Sequence, residues 1–139
     1  MKKLSLALVF ALLISVSAFA GVQEFGSLVI DVPAGWTATQ DGTTVGIVKN
    51  DSSASMSVTL ETNEGVSIHD LATAYAKELN GTEPTQIKGG TFDGDWTFNF
   101  GNSEALISGD DKNYILIVVT GADNVASELT AMMDSIAIK

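Results

Sequence analysis

The sequence predicts an α+β fold in which one antiparallel β-sheet of about six to seven strands carries two main helices. Short segments of alternating apolar and polar residues recur along the chain, and this period is typical of half-buried strands. Residues 67–80 and a segment near the C-terminus change to the period of amphipathic helices. Most links between the strands are too short for parallel crossovers, so the sheet should be antiparallel.

Residues 1–20 have the layout of a secretory signal peptide. Two lysines precede an apolar run over residues 4–16, and Ala18-Phe19-Ala20 supplies small residues where a signal peptidase cleaves. The run is shorter than the roughly 20 apolar residues of a membrane span. We therefore expect cleavage after Ala20, no stable membrane insertion afterwards, and a single domain over residues 21–139.

Composition limits the classes of function. The chain contains no cysteine, which excludes disulfides, thiol catalysis and cysteine metal sites. Residues 21–139 hold five lysines, no arginine and 17 acidic residues, a formal charge of −12. Such a chain repels nucleic acid and anionic lipids. Cations, basic surfaces, neutral sugars and peptides remain as partners, although the acidity also keeps an exported protein soluble without any partner.

The strands are predicted from alternation and from turn residues. Asp41-Gly42 is a strong signal for a two-residue hairpin between two of them. The segment 114–119 is apolar on both faces and should be central. The predicted strands cover residues 27–32, 36–40, 45–49, 55–61, 85–88, 96–101, 103–108 and 114–119.

Two helices complete the predicted elements. In the first, Ser67 is placed to cap the start with Asp70 three residues on, and Gly81 to end the helix. The second begins near Asp123 or Asn124. The apolar stripe of the first helix is Ile68, Leu71, Ala72, Tyr75, Ala76 and Leu79. The stripe of the second is Val125, Leu129, Met132, Met133 and Ile136.

The segment DVPAGW, residues 31–36, marks a corner after the first predicted strand. Pro33 has no N–H for a ladder and Gly35 permits a sharp bend. Trp36 is expected to pack over the sheet edge. The alternative is that Trp36 stacks on a ligand.

The residues around this corner resemble the opening of PsbP-like and DcrB-like proteins, over the stretch FGSLVIDVPAGWTATQDGTTVGIVKND. The resemblance continues in VSIHDLATAYAKEL, YILIVVT and LTAMMDSI, and covers nearly all of residues 21–139. It implies an antiparallel sheet flanked by helices. It also implies non-enzymatic roles: extrinsic subunits of photosynthetic complexes, bacterial envelope proteins, or a nuclear binder of a small GTPase. It transfers no functional residue to this chain.

Residues for catalysis are scarce. His69 is the only histidine, and its helical position lies opposite the apolar stripe, on the solvated side. There is no G-x-S-x-G elbow and no glycine-rich phosphate loop that leads into a helix. The sequence therefore predicts that the protein is not an enzyme.

Acidic residues gather at one end of a predicted hairpin. Asp93 and Asp95 precede the strand at 96–101, and Asp110 and Asp111 follow the returning strand. Because these ends of a hairpin lie side by side, the four carboxylates would crowd together and suit calcium. Ordinary solvated turns use the same residues. An acid/base pair acting on a sugar is a further alternative.

The second face of the sheet is a candidate partner surface. Apolar side chains from Tyr114 to Val119 must reach it, and we place the partner surface at Trp36 and Tyr114. Coverage by the N-terminal segment or by the last helix is the alternative. The sequence thus predicts an exported, non-catalytic binding or accessory protein of the bacterial envelope, periplasmic or extracellular. Its partner would be an unknown protein or small ligand.

Overall fold

The computed structural model describes residues 20–121 and 126–139. The predicted signal peptide up to residue 19, the start of the second helix and Val125 lie outside the described residues. In chain order the elements are β1 (Gly21–Phe25), β2 (Leu28–Val32), β3 (Trp36–Asp41), β4 (Thr44–Lys49), β5 (Ala54–Thr62), α1 (Ile68–Glu78), β6 (Thr85–Gln86), β7 (Trp96–Phe100), β8 (Ser103–Gly109), β9 (Asn113–Gly121), α2 (Ala126–Ser135) and β10 (Ala137–Ile138).

The strands form a seven-stranded sheet in the order β3-β4-β5-β9-β8-β7-β6 and a three-stranded sheet in the order β1-β2-β10. The pairs β1–β2, β10–β2, β3–β4, β6–β7 and β7–β8 run antiparallel. The predicted α+β class, with an antiparallel sheet and two main helices, is confirmed. Besides this sheet, β2 pairs with β1 and β10 in a separate three-stranded sheet, and neither β1 nor β10 was predicted.

The chain divides into two compact units. One consists of residues 58–118. The other combines residues 20–57 with residues 119–139, from the two ends of the domain. Strands β5 and β9 contribute residues to both units.

In the unit of residues 58–118, α1 packs against β7 and β8. The Ser67 hydroxyl accepts a hydrogen bond from the backbone N–H of Asp70 at 3.1 Å, which confirms the predicted cap. The predicted stripe is buried at its centre, and its two outermost members, Ile68 and Leu79, are half-buried. The buried members are Leu71, Ala72, Tyr75 and Ala76. They lie in the core with Phe98, Ala105 and Ile107.

The end of α1 depends on two residues rather than on Gly81 alone. Asn80 has φ +57°, the left-handed conformation that ends many helices. The N–H of Gly81 then donates to the Ala76 carbonyl at 2.7 Å. Gly81 is needed for space, because a Cβ there would lie 2.8 Å from both the Asn99 carbonyl oxygen and Phe98 Cδ2.

In the unit of residues 20–57 and 119–139, α2 packs against β2. Leu129 and Met132 are buried on the helix, whereas Met133 and Ile136 are only half-buried. The apolar side chains of β2 supply the facing core: Leu28, Ile30 and Val32 are each at most 2% exposed. The Ser135 hydroxyl accepts from the backbone N–H of Asp31 at 2.9 Å, which fixes the end of the helix to β2.

Candidate functional site

The corner at residues 31–36 is closed by a cluster that we call the Trp36 clamp: Trp36, Lys49 and Glu128. Gly35 has φ +89°, and the Trp36 N–H donates to the Pro33 carbonyl. The Trp36 indole N–H donates to Glu128 Oε2 at 2.8 Å. Lys49 Nζ lies 3.3 Å from Glu128 Oε1 and 5.4 Å from the centre of the indole ring.

The burial of Trp36 determines whether the Trp36 clamp can contact a partner or ligand. Trp36 is 2% exposed, so its ring offers no face to a partner or ligand, and its placement on a partner surface is corrected. The indole is apolar and large enough to fill the corner, while its N–H finds a carboxylate. Glu128 was not singled out in the sequence, where an acidic residue on the polar side of a helix carries no signal. The hydrogen bond from Trp36 and then the one from Lys49 hold the pKa of Glu128 below its ordinary value.

Tyr114 is also buried. It is 5% exposed, and its hydroxyl meets the Tyr75 hydroxyl of α1 at 2.5 Å, with the two rings edge to face at 6.2 Å between centres. Its placement on a partner surface is therefore corrected as well, because the side chain lies in the core beneath α1. Burial, followed by this hydrogen bond, raises the pKa of Tyr75 far above the ordinary tyrosine value, so Tyr75 stays neutral.

The two ends of the acidic hairpin lie side by side, as predicted. Trp96 pairs with Ile107, which sets Asp95 beside Ser108 and Gly109. Burial raises the pKa of Asp95, and the charge of Asp93 acts in the same direction, while hydrogen bonds from Ser108 and the Gly109 backbone oppose them. The carboxylate of Asp93 accepts from the Gly89 N–H and so closes its own loop.

The other two predicted acids lie in a turn that Asn63 holds in place. Asp110 Oδ1 accepts from the backbone N–H groups of Lys112 and Asn113, which lowers its pKa. The buried Asn63 side chain donates to the carbonyls of Val66 and Asp110, each at 2.7 Å, and accepts from the Val66 N–H. Asn63 was missed in the sequence, although Asn followed by Gly65 two residues later is a turn signal.

The backbone carbonyl of Asp111 accepts from the Gly65 N–H at 3.1 Å and joins the same two loops. Within the described residues, the structure brings no three or more His, Asp or Glu side chains into a group that would hold a metal ion. The calcium site at Asp93, Asp95, Asp110 and Asp111 stays a prediction.

His69 is a surface residue, as its helical position predicted, but its ring makes a contact that was not predicted. The side chain is exposed, but its ring lies against Trp96 of β7, with 4.1 Å between ring centres and 36° between the planes. This contact joins the first turn of α1 to the sheet. No sequence pattern indicates this contact, because it depends on how far along β7 the helix docks.

A shallow groove of about 240 Å³ lies beside the β4–β5 turn. Its lining combines an apolar floor with serine and threonine hydroxyls: Val48, Ser52, Ser53, Ala54, Ser55 and Thr120. The Ser53 hydroxyl is already engaged, because it donates to Asp51 at 2.6 Å. The hydrogen bond between Ser53 and Asp51 therefore serves the β4–β5 turn, and we assign no ligand to the groove.

No protein-family model and no curated protein sequence matches this chain significantly. Among residues 20–121 and 126–139, no helix combines the length and apolar character needed to cross a membrane. Among solved structures, the chain is similar to the solution structure of cyanobacterial PsbP (CyanoP) from Synechocystis sp. PCC 6803. The TM-score is 0.54 at 13% sequence identity, over 87% of this chain and 94% of that one. The chain therefore has a PsbP-like fold, as the resemblance at the DVPAGW corner implied.

Proposed function

We propose that this protein is an exported, non-catalytic binding or accessory protein of the bacterial cell envelope, acting through residues 21–139 and periplasmic or extracellular. The observation that carries the proposal is the PsbP-like fold, which extends over 87% of the chain. The resemblance in the sequence implies non-enzymatic roles for such proteins.

The way the polar groups are used supports a binding role. Glu128 anchors an indole, Asp110 caps a turn, and the two tyrosine hydroxyls satisfy each other. Each of these groups has a structural bond that a catalytic cycle would have to break. Recognition of a partner would use the acidic outer surface and leave these bonds intact.

The predicted leader supports export. Strand β1 begins at Gly21, directly after the proposed cleavage point, so cleavage there would remove no element of the described fold. To test export, the full chain with a C-terminal tag is expressed in a Gram-negative host and fractionated. We expect an envelope or medium product whose mass lacks residues 1–20. Ala20→Leu should block cleavage, whereas Phe19→Ala, at the more tolerant neighbouring position, should not. Uncleaved wild-type chain in the cytosol would contradict export.

The binding role is tested separately with the purified protein. It is passed with envelope extract over a size-exclusion column, before and after chemical crosslinking. We expect a stoichiometric complex from which the partner is recovered unchanged. Conversion of an envelope component by the protein would refute the non-catalytic role.

A calcium-binding module is the second candidate. It is favoured by the β7–β8 register, which brings Asp95 to Ser108 and Gly109 with the charge of Asp93 close enough to affect it. Calcium titration during thermal melting tests it, since a ligand at 100 times its Kd adds about 2.7 kcal/mol. The shift should vanish in Asp93→Asn/Asp95→Asn and persist in Asp41→Asn, which changes an acid at the end of β3 in the other unit. No shift at millimolar calcium in the wild-type chain would rule it out.

A further inference from the structure

The dipeptide Asn80-Gly81, directly after α1, has the chemistry of a deamidation site. Asn80 is exposed, and the residue after it has no side chain to hinder ring closure. In this reaction the backbone nitrogen of Gly81 attacks Cγ of Asn80, the side-chain nitrogen leaves as ammonia, and a succinimide forms. Water then opens the ring to aspartate or isoaspartate. Asparagine is one of the thermolabile residues for this reason.

The fold holds the attacking nitrogen in another bond. The Gly81 N–H donates to the Ala76 carbonyl at 2.7 Å. The next residue is held to β7 on both sides, because the Thr82 N–H donates to the Asn99 carbonyl at 2.8 Å and Thr82 Oγ1 accepts from the Asn99 N–H at 2.9 Å. Gly81 is therefore fixed between the helix end and the strand.

Gly81 is also closely packed against β7. A Cβ on Gly81 would lie 2.8 Å from the Asn99 carbonyl oxygen and 2.8 Å from Phe98 Cδ2. Closing a five-membered ring between Asn80 and Gly81 rotates this peptide and would break the hydrogen bond from the Gly81 N–H to the Ala76 carbonyl. The reaction must wait until the last turn of α1 opens.

We propose that Asn80 is a deamidation site gated by opening of the C-terminal turn of α1. The product adds a negative charge at the end of the helix where the dipole is already negative. Isoaspartate also lengthens the main chain by one carbon where Gly81 is confined. A chain with isoaspartate at position 80 cannot re-form the original helix end, and the change is irreversible because ammonia has been lost.

The first test compares the native chain with the chain unfolded in urea, both in the same mildly alkaline buffer. Aspartate and isoaspartate at position 80 are quantified by peptide mapping with mass spectrometry. We expect the native rate to be at least about tenfold lower, which corresponds to an opening free energy of about 1.4 kcal/mol. Equal rates in the two states would show that opening of α1 does not limit the reaction. If Asn80 did not react in urea, it would not be a deamidation site.

The second test loosens the turn without changing the reacting residues. Thr82→Val removes the acceptor for the Asn99 N–H, and Thr73→Val is the matched control, since the Thr73 hydroxyl donates to the His69 carbonyl near the start of α1. We expect severalfold faster native deamidation of Asn80 in Thr82→Val and the wild-type rate in Thr73→Val. Both variants should match the wild type in urea. A Thr82→Val rate equal to that of the wild type in the native state would refute the proposal.

Discussion

Removal of one hydroxyl from the Tyr75–Tyr114 pair should destabilise the protein more than removal of both. The two oxygens lie 2.5 Å apart, and the residues are 2% and 5% exposed. In Tyr75→Phe the hydroxyl of Tyr114 stays buried without this partner, and Tyr114→Phe leaves that of Tyr75. The double variant leaves neither hydroxyl behind.

The expected losses in the free energy of unfolding follow from the burial of the two hydroxyls and their hydrogen bond. A buried polar group left unsatisfied costs about 1–3 kcal/mol, and this is the expected loss in each single variant. The double variant loses only a satisfied pair, for a net cost of about 0.5–1.5 kcal/mol, because both rings keep their apolar packing. The two single losses sum to about 2–6 kcal/mol, so they should exceed the loss in the double variant by a coupling energy of about 1.5–4.5 kcal/mol.

Urea unfolding of the wild type, both single variants and the double variant measures this coupling. The m-values should agree, so that midpoints report stability rather than a changed unfolded state. Thermal melts should give the same ranking, at roughly 3–5 °C per kcal/mol for a domain of this size. A double variant that loses the full sum of the two singles would refute the reasoning, since it would mean that the hydroxyls act independently.

Four further variants test other contacts. Glu128→Gln should lower the Tm at neutral pH. Because the folded-state pKa of Glu128 is depressed, the ionised carboxylate stabilises the fold at pH values above the ordinary Glu pKa of about 4.3. This stabilisation is lost as pH falls below that value. The difference in Tm between Glu128→Gln and the wild type should therefore be smaller at pH 3 than at pH 7. Gly81→Ala should cost about 1–3 kcal/mol in urea unfolding, because the methyl group meets Phe98 and the neighbouring backbone. Asn63→Ala removes three hydrogen bonds at a buried site and should cost about 1–3 kcal/mol, measured in the same way. Ser57→Ala should leave the unfolding midpoint unchanged or raise it, since the buried Ser57 hydroxyl has no hydrogen-bond partner among the described residues.

Local signals explain what could be predicted. The stripe of α1 and its Ser67 cap were visible because a helix repeats its pattern within a few residues. The β3–β4 hairpin was visible because Asp41-Gly42 is a strong turn signal, although the register pairs Asp41 with Thr44 and shifts the two loop residues by one position, to Gly42 and Thr43. In both cases the determining contacts lie close together in the chain.

Distant contacts explain what was missed. Strand β10 has only two residues and β1 only five, and their place is set by pairing with β2, which no local pattern reveals. The same holds for the candidate site. Trp36 was recognised as a corner residue, but its partner Glu128 lies 92 positions away and is an ordinary acid in its own segment. Tyr114 was assigned to a surface because a strand that is apolar on both faces does not show which face a helix covers.

The unit made of residues 20–57 and 119–139 joins the first part of the domain to the last. Asp31 bonds to Ser135 across 104 positions, and Glu24 pairs with Lys139 across 115. A chain that emerges from its N-terminus, whether from a ribosome or through a translocation pore, must therefore hold β1 to β4 without these partners until its final residues arrive. Residues 58–118 form a unit that is continuous in the chain, so its members emerge one after another. Loss of even the last few residues would thus damage the segment that was synthesised first.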